Sequence, residues 1–242
     1  MYNKAKLNYL TILLFSVFFS GCSTGTGEKK LVMIFIDYTR SAVTFSNGNT
    51  EQVERLITDV VSSLDYDDVV ETYPIHAATQ TATPIFRLKG PELKGDLRDK
   101  QRLIDWKTNE VEPALKKAVE YSFSEESISA TNIFPITYKI QNRVKQGYNV
   151  VVYLFSDLIQ EYDVERFQDV FSKGSNVNPS QYAIDKVKSI GLKGQLKNII
   201  VKIFVPGVPE GIPSYDSICQ PVRIFWDNFF TLCGGKVTIE DL

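Results

Sequence analysis

Four apolar runs, Leu31–Ile36, Val69–Ile75, Val150–Phe155 and Ile199–Val205, constrain this chain more than any other feature. Runs that are apolar on successive positions, rather than on alternate ones, read as strands buried on both faces, the condition of a parallel sheet. A weaker fifth run, Lys236–Ile239, closes the sequence. Helical patterns lie between the runs. Val53, Leu56, Ile57, Val60, Val61 and Leu64 repeat at the spacing of one helix face. A second helix is expected from about Glu92 to Tyr121, broken or kinked at Pro113. A third follows Thr131, with Pro135 in its first turn. Val164, Phe167 and Phe171 share a face between Asp163 and Ser172, and Asn178 caps a further helix with Pro179 at its first position. Strands alternating with helices imply a layered α/β sheet with crossover connections. The stretch from Ala77 to Leu88 fits either an edge strand with its turn or an inserted lobe.

The chain has 242 residues, enough for one sizeable domain and a tail. Its net charge of −2 gives no electrostatic case for nucleic acid as a partner. The basic stretch from Lys89 to Lys117 is interleaved with Glu92, Asp96, Asp99, Asp105, Glu110 and Glu112, which reads as a solvated helix face.

At the N-terminus, Lys4 and Lys6 precede an apolar stretch that ends in "FFSGCSTGTGEKK". A positive start, a short apolar run and small residues before a break describe a secretory signal. Ser20-Gly21-Cys22-Ser23 resembles the lipobox of bacterial lipoproteins, with Phe19 where Leu is commoner. The expected division is a signal peptide over 1–21, a lipidated Cys22 with a polar tether over 22–30, and one domain over 31–242. An uncleaved anchor with an incidental Cys is the alternative. Processing would remove two lysines and no acid, leaving a net charge of −4. Acyl chains would then hold the protein to a membrane of the bacterial cell envelope, on its periplasmic or surface face.

Cys219 and Cys233 remain. The segment between them reads as a helix, with Pro221 at its start and Gly234 at its end. Such a helix separates the two Cα atoms by about 20 Å, against about 7 Å for a disulfide. Two unpaired, buried cysteines are expected. Trp226, Phe229 and Phe230 fall on one face of that helix, as a stripe facing the core.

In open α/β sheets, ligands sit beyond the carboxyl ends of the strands, where the strand order reverses. Asp37, Thr39 and Ser41 follow the first strand, and Ser156-Asp157 follows "VVVYLF". Thr131, in "SATNIF", opens the third helical pattern. Three hydroxyls and two carboxylates make an all-oxygen set, which suits a hard divalent cation such as Mg²⁺.

The pattern D-x-T-x-S at Asp37, Thr39 and Ser41, with Thr131 in its T-N-I context and Asp157 after a hydrophobic strand, resembles the von Willebrand factor type A domain and its metal ion-dependent adhesion site. Thr39 stands where that pattern usually has Ser. The resemblance spans about residues 30 to 240. It implies a three-layer, Rossmann-like α/β fold, with a central, mostly parallel sheet flanked by helices. It also implies that Mg²⁺ or Mn²⁺ is held by Thr39 and Ser41 directly, by Asp37 and Asp157 directly or through water, and by Thr131 when ligand is bound. A protein partner would offer an acidic side chain to the ion. Thr79, Thr81 and Thr83 compete with Thr131 for the third position, but none opens a helical pattern.

No catalytic activity is expected. An Asp-nucleophile phosphotransferase of the D-x-D-x-T kind would need an acid at Thr39. His76 is the only histidine, placed where a packed or surface residue is common. A structural scaffold whose metal site is a relic, with contacts made elsewhere, is the alternative binding function. The loop from Pro206 to Asp216 reads as a surface loop before it reads as a binding rim.

Overall fold

A computed structural model describes residues 29–38, 50–124, 130–161, 166–172, 174–205 and 213–241. The expected signal peptide and tether up to residue 28, with Cys22, as well as Thr39, Ser41 and most of the loop after Val205, lie outside the described residues.

The apolar runs form strands: β1 (Lys30–Asp37), β2 (Val69–Ile75), β4 (Asn149–Phe155), β5 (Ile200–Val205) and β6 (Lys236–Asp241). The stretch that left two readings open is an edge strand with its turn, β3 (Phe86–Lys89). One sheet results, in the order β3-β2-β1-β4-β5-β6. All neighbours are parallel except β2 and β3.

β1 shows why the runs are unbroken. Leu31, Met33 and Phe35 pack into the core on one face, and Val32, Ile34 and Ile36 pack into the core on the other. Against the second face lie α1 (Thr50–Ser63), α2 (Asp99–Trp106) and α3 (Glu112–Ser124), through Leu56, Val60, Trp106 and Leu115. Against the first lie α4 (Ile136–Lys145), the short α5 (Phe167–Val170), α6 (Pro179–Ser189) and α7 (Pro213–Cys233). The fold is three-layer α/β, with the hydrophobic stripes of the helices closing over both faces. Trp226, Phe229 and Phe230 are fully buried in α7, at the centre of an aromatic cluster with Phe134 and Phe225.

Several boundaries differ from the sequence expectation for physical reasons. Residues 91–98 are a loop and α2 starts only at Asp99, because the Asp99 carboxylate accepts the N–H groups of Lys94 and Asp96 and holds a turn there. Pro113 does not break the long helix. The chain widens into a π-helical turn over Lys107–Val111 just before it, shifting the hydrogen-bond register where proline has no N–H to give. Pro221 lies inside α7, which begins at Pro213. Asn178 caps α6 as expected, its side chain accepting from Gln181 N–H at 3.0 Å. Cys219 and Cys233 are both unpaired; Cys219 is only half-buried, where burial was expected, and Cys233 is fully buried, its thiol pushed up to about 12 by burial. Among the described residues, no helix is long and apolar enough to cross a membrane.

Candidate functional site

The strand order reverses between β1 and β4. After β1 the chain moves outward to β2 and β3; it then returns to place β4, β5 and β6 on the other side. The connection leaving β1 enters the helical layer of α1, and the one leaving β4 enters the layer of α5 and α6. Such a divergence is where open α/β sheets place their ligand crevice, at the carboxyl ends of the two strands.

Asp37 ends β1 and Asp157 stands two residues beyond β4, so both carboxylates flank this crevice. Each residue is only 2% exposed. Ser156 continues the register opposite Asp37, and its hydroxyl donates to Asp37 Oδ2 at 2.6 Å. The same hydroxyl accepts from Leu158 N–H at 2.9 Å, while Asp157 Oδ1 accepts from Ile159 N–H at 2.9 Å. These bonds fold the chain sharply after β4, with Leu158 at φ 67°, a region that residues with a side chain rarely adopt. Burial of the Leu158 side chain and a hydrogen bond from Trp226 Nε1 to its carbonyl, at 2.9 Å, hold it there.

Thr131 is fully buried and reaches the same place by another route. The segment 131–133 lies beside 160–161: Glu161 N–H donates to Thr131 O at 2.9 Å, and Gln160 Oε1 accepts from Ile133 N–H at 2.7 Å. Gln160 Nε2 donates to Asn132 Oδ1 at 3.1 Å. Thr131 does not open a helix. It precedes α4 by five residues, because Ile133, Phe134 and Pro135 turn first, with Ile136 N–H bonded to Ile133 O. Of the competing threonines, Thr79 uses its hydroxyl on both the N–H and the carbonyl of His76, and Thr81 on the carbonyl of Ala78. The structure therefore brings Asp37, Thr131 and Asp157 to one end of the sheet, while Thr39 and Ser41 lie outside the described residues.

Three residues of this site were given no role in the sequence reading. Ser156 links the two strand ends, Gln160 ties the two loops, and Glu161 adds a third carboxyl. The pKa of Glu161 is raised by burial and next by the charge of Asp37, against the opposing effect of Arg166 and a backbone hydrogen bond at Thr131. Ser156 was named at the strand end without a role, and Gln160 and Glu161 carry no local pattern that marks them.

Among the described residues, no three His, Cys, Asp or Glu side chains group as metal ligands. The donors present fit a different kind of ion site. Two buried carboxylates and a buried hydroxyl are hard oxygen donors, suited to Mg²⁺ or Mn²⁺ with water completing the shell, and unsuited to the nitrogen and sulfur preference of zinc.

No protein-family model matches the chain, and no curated protein matches it significantly. Among solved structures, it is similar to the human COPII-coat protein Sec24c, at 12% identity and a TM-score of 0.44, covering 88% of this chain and 29% of that one. It is also similar to a von Willebrand factor type A protein from Catenulispora acidiphila, at 12% identity and a TM-score of 0.41, covering 88% and 39%. A third is the manganese-loaded TRAP protein of Plasmodium vivax, at 11% identity and a TM-score of 0.42, covering 88% and 69%. The chain thus spans well under half the length of the first two. The fold class rests on strand order, register and layering.

Proposed function

We propose that this chain is a von Willebrand factor type A-like interaction domain that binds Mg²⁺ or Mn²⁺ at the β1–β4 crevice and, through the ion, an acidic side chain of a protein partner. The observation that carries the reading is the placement of Asp37 and Asp157, two nearly inaccessible carboxylates at the carboxyl ends of the two strands that flank the reversal of strand order. Buried carboxylates are costly unless a cation or hydrogen bonds compensate them, and Ser156 already donates to Asp37. Asp37, Asp157 and Thr131 would hold the ion together with Thr39 and Ser41. When bound, the ion supplies a Lewis-acidic position open to a carboxylate.

On this reading the domain binds and does not catalyse. Thr39 occupies the position where an Asp-nucleophile phosphotransferase carries its acid, and His76 already accepts Ala78 N–H at Nδ1, at 2.9 Å. Its pKa is lowered by burial and then by the charge of Lys139. The reading includes lipidation at Cys22 and a place on a membrane of the bacterial envelope, supported by the N-terminal sequence.

Titration of Mg²⁺ and Mn²⁺ into the chain from Ser23 onward, to millimolar concentration, tests the site beside its Asp37→Ala variant. Saturable binding that disappears in the variant is expected. Equal binding by both forms would sink the metal reading. The Ser156–Asp37 bond favours a second reading, in which Asp37 is a structural clip between strands. That reading expects Asp37→Ala to lower stability while leaving partner binding unchanged.

A further inference from the structure

The end of the sheet opposite the crevice carries its own signature. Parallel strands all begin there, so Lys29 enters β1 at this end. β3 runs the other way, and its last residue, Lys89, pairs with Val69 at the start of β2. The loop that follows, 90–98, therefore sits at the end where the chain enters the domain. Gly90 N–H and Lys30 Nζ both bond to Asp68, at 2.7 Å each, which ties the loop's root to the entry point.

This loop exposes two leucines on one turn. Leu97 is 103% exposed and Leu93 62%, on either side of a turn at Gly95, which has φ 77°. The turn is fixed from within. Asp99 is buried and accepts from Lys94 N–H at 3.0 Å and Asp96 N–H at 2.9 Å, and Arg102 pairs with both Asp96 and Asp99. The leucines are thus held out. Of the loop's acids, Asp99 is buried, while Asp96 and Glu92 are exposed but paired with Arg102 and Lys89; Lys94 and Arg98 stay exposed beside the leucines.

On the other side of the entry point, the connection from α6 to β5 is basic. Residues 190–199 contain two lysines and no acid, and both Lys193 and Lys197 are exposed. Isolated exposed leucines are ordinary. Two held out by one stapled turn, with cations on both flanks, match an interfacial surface that meets acyl chains and anionic headgroups together.

We propose that this end of the domain docks on an anionic bilayer surface, with Leu93 and Leu97 dipping into the headgroup layer and Lys94, Arg98, Lys193 and Lys197 meeting lipid phosphates. The inference rests on the lipid-anchored reading above, since the tether joins the domain at the same end. It gives that reading an orientation: the β1–β4 crevice, about 25 Å away along β1, faces away from the membrane towards a partner.

The test uses the full-length chain carrying Leu97→Trp, with vesicles of phosphatidylethanolamine and phosphatidylglycerol bearing brominated acyl chains. The two native indoles, Trp106 and Trp226, are buried and give a constant background. Flotation reports anchoring, and emission of the introduced indole reports docking. A floating protein with blue-shifted, bromine-quenched emission is expected, the quenching falling in phosphatidylcholine vesicles and when Lys193 and Lys197 are changed to Glu. A floating protein whose new emission stays solvent-like would overturn the docking and leave the anchor standing. A protein that does not float would overturn the anchor. Excess phosphatidylglycerol vesicles then decide the docking alone: quenching supports it, and its absence overturns it. Equal quenching in phosphatidylcholine would overturn the role given to charge.

Discussion

Ser156 donates its hydroxyl to Asp37 Oδ2 at 2.6 Å, joining residues 119 positions apart. Because the same oxygen accepts Leu158 N–H, one side chain fixes both the first carboxylate and the turn that carries the second. Ser156→Ala leaves that N–H buried without its acceptor, an expected loss of about 1–3 kcal/mol in urea unfolding. It also frees Asp37 to rotate, so divalent-cation affinity should fall about 10–100-fold, the usual effect of losing a group that orients a ligand. A stability loss with unchanged cation affinity would assign the bond to the fold alone.

The strands were legible because burial on both faces leaves a one-dimensional trace: β1 has six successive apolar residues and no polar face. Strand ends were legible for the same reason, and Asp37 and Asp157 with them. Direction was not. A four-residue edge strand such as β3 reads alike whether parallel or antiparallel. The loop 91–98 passed for helix because its alternating charges fit a helix face, whereas Asp99 gathers backbone N–H groups that no periodicity records. Gln160 was invisible because its partners, Asn132 and Ile133, are 28 and 27 residues away.

Glu71 is fully buried and meets Arg143 through two hydrogen bonds of 2.9 and 3.0 Å, Arg87 at 3.1 Å and the Tyr73 hydroxyl at 2.7 Å. Glu71→Ala strands Arg143 beside Arg87 without an acid, and should cost about 3–5 kcal/mol in urea unfolding. Glu71→Gln keeps an acceptor of nearly the same shape and should cost less. Equal losses in the two variants would mean that charge alone holds the cluster.

Asp99 gives the leucine-bearing loop an acid limit. Burial would raise its pKa, but hydrogen bonds from the backbone of Lys94, Asp96 and Gly95, with Arg102, hold it below its ordinary 3.8. A carboxylate with a depressed folded pKa contributes stability that is present above its unfolded value and lost as pH falls through the folded one. Amide exchange at Lys94 and Asp96 should therefore accelerate as pH drops below about 3.8, beyond the intrinsic trend. In Asp99→Asn it should be fast at neutral pH and show no such step. A step that persists in that variant would point to another group.

Trp226 links the aromatic core to the crevice, since its Nε1–H donates to Leu158 O at 2.9 Å. Trp226→Ala should cost about 3–5 kcal/mol, as for other buried aromatic deletions. Trp226→Phe keeps most of the packing but removes the donor, and about 1–3 kcal/mol is expected from the stranded carbonyl. The left-handed Leu158 then loses a restraint, so the second variant should also bind Mg²⁺ more weakly than its stability loss explains. Unchanged Mg²⁺ affinity in a folded Trp226→Phe protein would separate core from site.

Gln160 offers the sharpest separation of site from fold. Its side chain spans the gap between the loop after β4 and the segment that carries Thr131, accepting Ile133 N–H at 2.7 Å and donating to Asn132 at 3.1 Å. One parallel connection remains without it, the Glu161 N–H to Thr131 O bond. Gln160→Ala should therefore leave the two segments adjacent but loosely aligned, with a stability loss of about 1–3 kcal/mol from the buried Ile133 N–H. The distance between the hydroxyl of Thr131 and the carboxylate of Asp157 would no longer be fixed. If those groups share an ion, affinity for Mg²⁺ falls about 10–100-fold while Asp37→Ala abolishes it, because the first loosens a ligand set and the second removes a member. If Thr131 is only a buried core residue, Gln160→Ala lowers the unfolding midpoint and leaves the titration curve where it was. Calorimetric titration and urea unfolding on the same preparation distinguish the two outcomes.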